Sequence, residues 1–140
     1  MTYILDTDTA IFLLRGQGGV AERMQSVGAD EIATTTINLA ELYFGAFNSG
    51  RVDVNVEAVD AFRQLVHVIH FDVPAAAVFG RTKSVLKRQK VIVGDSDLLI
   101  ASVALATDST LVTNNTRHFS RIPGLKLDNW VTNQARGFAP

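Results

Sequence analysis

Cysteine is absent from this chain, which excludes disulfides and thiolate metal sites. Charge is scarce as well. Only 19% of the residues are charged and the net charge is −1, a balance that does not advertise a nucleic-acid binder. No apolar run reaches the roughly 18 residues a membrane span needs. Asp6 and Asp8 interrupt the opening before it can read as a secretory leader. There is no Gly-rich phosphate loop, no serine elbow, no internal repeat and no Pro/Gly-rich linker. What remains is 140 residues of which 47% are apolar, too many for disorder and enough for one real core. The expectation is a single soluble domain spanning 1–140, located in the cytoplasm and without membrane contact.

Periodicity sorts the chain into alternating strands and helices. Residues 2–5, 31–36, 67–71, 110–113 and 125–127 read as strands. Helices are expected over 10–15 after a cap at Asp8 or Thr9, over 19–28, over 37–47 with Thr36 as cap, and over 54–65. Two more follow, one from Pro74 to about Lys90 and one from a cap at Asp95 or Ser96 to near Thr107. Strands alternating with helices imply right-handed crossovers. The fold class is therefore α/β, three-layer α/β/α, with a mostly parallel central sheet of about five strands.

With so few charges, the placement of the acids is informative. Asp6 closes the run Thr2-Tyr-Ile-Leu, and Glu41 lies within the helix-like Ile37-Asn-Leu-Ala-Glu-Leu. Asp95 and Asp97 open Asp95-Ser-Asp-Leu-Leu-Ile-Ala-Ser, and Asn115 ends Leu111-Val-Thr-Asn-Asn. Open α/β sheets bind ligands beyond the carboxyl ends of their strands, where strand order reverses, so Asp6 and Asn115 both project to that rim. Asp97 sits at a helix start, where the dipole favours negative charge. Glu41, flanked by Ile37, Ala40, Leu42 and Phe44, needs a partner in partial burial, either an arginine or a shared cation. Hard cations such as Mg²⁺ take oxygen ligands, usually a few carboxylates with water and phosphate. Asp8 and Asp95 read as helix caps rather than ligands.

Other polar residues are less telling. His67 and His70 read as structural, whereas His118 follows the rim loop within reach of a substrate. Arg81, Lys83, Lys87, Arg88 and Lys90 form an acid-free basic segment. Its i, i+4, i+7 lysines are expected on one helix face, either simply solvated or in contact with phosphates.

These motifs together resemble the PIN-domain endoribonucleases, specifically toxins of the VapBC type. The likeness rests on Ile4-Leu-Asp-Thr-Asp-Thr-Ala-Ile-Phe-Leu-Leu-Arg, Thr36-Ile-Asn-Leu-Ala-Glu-Leu-Tyr-Phe-Gly, Val93-Gly-Asp-Ser-Asp-Leu-Leu-Ile-Ala-Ser and Thr110-Leu-Val-Thr-Asn-Asn-Thr-Arg-His-Phe. Ile122-Pro-Gly-Leu-Lys-Leu-Asp-Asn-Trp extends it towards the end of the chain. The resemblance implies a catalytic set of Asp6, Glu41, Asp97 and Asn115. Within it Asp6 and Asp97 hold Mg²⁺ (Mn²⁺ being acceptable too), and Glu41 binds through water or holds a second metal. Asn115 stands where many relatives carry a fourth acid, and Asp8 where Asn is common. The implied reaction is hydrolysis of RNA by a metal-activated water. The implied partners are a VapB-type antitoxin, a second copy of the chain in a homodimer, and DNA only through the antitoxin.

Two other readings remain open at this point. Asp6-Thr-Asp-Thr and Gly94-Asp-Ser-Asp echo haloacid-dehalogenase-type phosphatases, with Asp6 as nucleophile and Asp8 as general acid. The same fold can also serve as a non-catalytic PIN-like binding module.

Overall fold

Alternation along short strands sets the architecture of residues 1–132, the part of the chain that the computed structural model describes. Residues 133–140 of the expected domain lie outside it. Five strands, β1 (Tyr3–Leu5), β2 (Ile32–Thr35), β3 (His67–Ile69), β4 (Thr110–Val112) and β5 (Lys126–Asp128), form one sheet in the order β3-β2-β1-β4-β5. Every neighbouring pair is parallel. Successive side chains of a strand point to opposite faces. Leu5, Ile32 and Val112 therefore enter one apolar cluster while Ile4, Ala33 and Leu111 enter the other.

Each face is covered by helices. On the Leu5 side lie α1 (Thr7–Leu14), α2 (Val20–Val27), α3 (Thr36–Phe47) and α4 (Val52–Leu65). On the Ile4 side lie α5 (Val73–Arg88), α6 (Asp95–Ala106) and the short α7 (Thr116–Phe119). The α6 helix buries Leu98 and then every residue from Ile100 to Ala104. A helix apolar all round belongs in the middle of a layer. The expected three-layer fold with a five-stranded parallel sheet is what forms. Strand order turns back between β1 and β4, the place where such sheets bind ligands.

Several boundaries differ from expectation, and the caps explain most of them. Helix α1 starts at Thr7 and not at residue 10, because Asp6 itself is the N-cap, accepting from the Thr9 N–H at 2.9 Å. Thr35, the last residue of β2, caps α3 in place of Thr36. Helix α6 follows Gly94 with no side-chain cap, so Asp95 and Ser96 are its first helical residues. Asp95 instead pairs with Lys83 at 2.9 Å. Helix α5 is capped by Asp72, and Pro74 takes its second position. That helix ends at Arg88, and Lys90 beyond it adopts a positive φ of 60°. The expected three-lysine face therefore reduces to Lys83 and Lys87. Helix α7 has no counterpart in the sequence reading, since four residues are too few for a period to show.

Candidate active site

Thr7, which follows the acid at the end of β1, is the centre of the site's hydrogen bonding. Its hydroxyl accepts from Asn38 Nδ2 at 3.1 Å and donates to Glu41 Oε1. Asn38 is fully buried and closes a capping box with Thr35: Oδ1 accepts from the Thr35 N–H at 3.2 Å and from its hydroxyl at 2.6 Å. The other oxygen of Glu41 accepts from Ser96 Oγ, on α6, at 2.9 Å. Glu41 is thus steadied from α1 and α6 at once. The apolar neighbours expected to bury it do not all do so, since Phe44 is 71% exposed. Glu41 is half-buried and hydrogen-bonded to Thr7 and Ser96, and neither an arginine nor a lysine pairs with it among the described residues.

Asp6 is the most enclosed acid, with 6% of its surface exposed. Its own N–H donates to Val112 O at 3.0 Å, which stitches the end of β1 to β4. Burial raises the carboxyl pKa above its ordinary value, and the negative charge of Asp8 adds to this, while hydrogen bonds from Thr113 and Thr9 work against it. Thr113 in turn accepts from the Asn115 N–H at 3.0 Å, so the turn after β4 is tied to Asp6. No cation pairs with Asp6 among the described residues. A buried carboxylate in that state is costly by itself.

Asp97 lies in the first turn of α6, and its Oδ2 is 3.0 Å from His118 Nε2 on α7. His118 therefore meets a site acid directly, a contact that spacing along the chain gave no means of seeing. Asp6, Thr7, Asp8, Glu41, Asp97 and Asn115 line one cleft of roughly 180 Å³, with Ile100 and Phe119 as its apolar wall. All four expected site residues meet there. Asp8 and Asn115 are exposed, and Asn115 is the residue from which α7 starts. Sequence reasoning missed Thr7, Asn38, Ser96 and Thr113. The Thr35-x-x-Asn38 spacing was the one readable sign, being a variant of the capping-box pattern.

The donor chemistry suits a hard divalent cation. The cleft offers four carboxylates and an amide oxygen, with no sulfur ligand, and among the described residues Asp6, Asp8 and Glu41 have no protein cation. No three acidic or imidazole groups among the described residues stand close enough to form a ready-made cluster. Mg²⁺ is typically bound through one or two carboxylates and completed by water and phosphate rather than by an all-protein cage.

Residues 3–125 match the family described as PIN domain. Ribonuclease VapC2 of Rickettsia felis is 34% identical over 93% of this chain and 98% of that protein. A protein of Salmonella typhimurium named tRNA(fMet)-specific endonuclease VapC is 31% identical over 93% of this chain and 98% of its own length. Among solved structures, VapBC2 of Rickettsia felis bound to a DNA fragment from its promoter contains a similar chain. It superposes with a TM-score of 0.88 at 33% identity, covering 93% of this chain and 99% of that one.

Proposed function

The chain belongs to the PIN domain family and, within it, to the VapC ribonucleases, and from that premise we propose a Mg²⁺-dependent endoribonuclease toxin that cuts structured RNA. The observation that carries the metal requirement is that Asp6 and Glu41 share a cleft with Asp97 and have no protein cation among the described residues. Asp6 and Asp97 would hold the cation, with Glu41 reaching it directly or through water. When bound, such a cation lowers the pKa of coordinated water and offsets charge on the phosphoryl oxygens. The chain's own residues do the rest. Thr7 and Ser96 hold both oxygens of Glu41, so the carboxylate can orient an attacking water without turning away. Asp6 is fixed by the end of β1 and by the first turn of α1, and the wall of Ile100 and Phe119 limits bulk water on one side. Asn115 offers a neutral acceptor at the rim.

The same reading makes the chain a cytoplasmic homodimer, blocked by a VapB-type antitoxin and meeting DNA only through it. Support for the antitoxin and for contact with DNA comes from the Rickettsia felis structure, in which VapBC2 is bound to promoter DNA. The phosphatase alternative leaves Glu41 without a role, although Glu41 lines the cleft and is hydrogen-bonded on both oxygens. Incubating structured RNA with wild type and with Asp6→Ala, with Mg²⁺ or with chelator, tests the reading. Cleavage is expected only for wild type with metal. Cleavage that survives both the substitution and the chelator sinks the proposal, and a binding module would cleave nothing in any tube.

A further inference from the structure

Behind Asp97 stands a second pair of side chains for which the reaction described above has no use. Arg121 Nη2 lies 2.6 Å from His118 Nδ1, and its Nε donates to the His118 carbonyl at 3.0 Å. A guanidinium can only donate. Nδ1 must therefore be the bare nitrogen of the imidazole, and Nε2 carries the hydrogen. That hydrogen points at Asp97 Oδ2, 3.0 Å away. The ring is also held edge-on against the buried Phe119 at 5.1 Å between centroids. The three residues form a line from solvent to cleft: Arg121 is exposed, His118 has 23% of its side chain exposed, and Asp97 faces the cation cleft.

We propose that His118 and Arg121 are positioning residues for Asp97, with Arg121 selecting the Nε2–H tautomer and His118 pinning Oδ2 so that Oδ1 is turned to the cation. This rests on the reading of Asp97 as a metal ligand. The physical reason is general. A carboxylate on a short stem can rotate about its last torsion, and a cation site that lacks a ready-made cluster depends on each ligand being oriented beforehand. Glu41 has Thr7 and Ser96 for that purpose and Asp6 has Thr9 and Thr113. Asp97 has only His118 among the described side chains.

The test measures Mn²⁺ binding by electron paramagnetic resonance on the full-length protein, alongside RNA cleavage, for wild type, Asp97→Asn, His118→Ala, His118→Gln and Arg121→Met. Outer-shell partners of this kind are worth on the order of 10- to 100-fold in metal affinity. His118→Ala is expected to weaken Mn²⁺ binding by about 10-fold or more. His118→Gln, whose amide N–H can replace Nε2–H, should recover most of the loss, and Arg121→Met should fall between. If Asp97→Asn abolishes binding while His118→Ala binds as wild type does, the positioning role is wrong and the metal site stands. If alanine and glutamine are equally damaging, His118 acts by filling space, and the role is again wrong. If Asp97→Asn binds Mn²⁺ as tightly as wild type, the ligand assignment fails and the positioning role falls with it.

Discussion

Replacing Asn38 by alanine should cost more than a helix-interior substitution, because the side chain serves both the start of α3 and the acid one turn further on. Asn38 is fully buried, and the change leaves two donors of Thr35, its N–H and its hydroxyl, without an acceptor. A buried donor left unpaired costs about 1–3 kcal/mol. Partial relief, by water entry or by rotation of the free hydroxyl, makes roughly 2–4 kcal/mol the expected total. With an m-value of about 1–3 kcal/mol/M, the urea midpoint should fall by about 1–2 M at unchanged slope. Ser49→Ala provides a control at the far end of the same helix. Ser49 Oγ donates to Ala46 O at 2.7 Å in a half-buried setting, and its loss should cost under about 1 kcal/mol. The functional arm follows from Thr7, which loses the donor that orients its hydroxyl towards Glu41. RNA cleavage measured well below the midpoint should therefore drop in Asn38→Ala and stay level in Ser49→Ala. A loss of less than about 0.5 kcal/mol, or a loss of stability with full activity, would refute the argument that one buried amide serves both ends.

Asp6→Asn separates stability from activity. The raised carboxyl pKa means that the folded chain binds this proton more tightly than the unfolded chain does. The associated stability is fully present below the unfolded value near 3.9 and is lost as pH rises through the folded one. At pH 7 without metal, Asp6→Asn should therefore be more stable than wild type, with the gain shrinking towards pH 4, as followed by urea midpoints at both pH values. The asparagine keeps the cap, but cleavage should fall about 100-fold or more. Asn115→Asp adds a further carboxylate to the cleft and should tighten Mn²⁺ binding on the order of 30-fold, since unit charges at about 4 Å in water interact by about 1 kcal/mol and the cation carries two. Trp130→Phe should cost about 1–2 kcal/mol in chemical denaturation, because the buried indole donates to Asp128 Oδ2 at 3.0 Å and fills more space than phenyl.

The fold was legible because the strands are short apolar or alternating runs and most of the longer helices carry a start or stop signal close to an end. Ile4 and Leu5, or Leu111 and Val112, already contain the two-faced sheet in their alternation. The acids were legible for a related reason: with so few charges in the chain, Asp6 and Asp97 at element ends stood out. What escaped was everything that depends on contacts far apart in sequence. The Thr7–Glu41 bond spans 34 positions, Ser96–Glu41 spans 55, and Asp97–His118 spans 21. Caps moved by one or more residues because several polar residues stood at each helix start, and the acid that won at α1 was the one already assigned to chemistry. Propensity ranks Asp6, Asp8 and Thr9 all as acceptable caps. Only the backbone bond from Asp6 to Val112 decides among them.

The central place of β1 has a consequence for how the chain comes into being. Synthesis delivers β1, β2 and β3 early, yet the strand that must lie against the other edge of β1 is β4, at residues 110–112. Until that late segment arrives, Asp6 has neither Val112 to hold its N–H nor Thr113 to donate to it. Asp97 and the α7 turn behind it are also late arrivals. A chain short of residue 110 therefore already carries Asp6, Glu41 and Asp97, but on an open-edged half-sheet that lacks Thr113, Asn115, His118 and the Phe119 wall of the cleft. The cleft is complete only once the last two strands and the turn between them are in place.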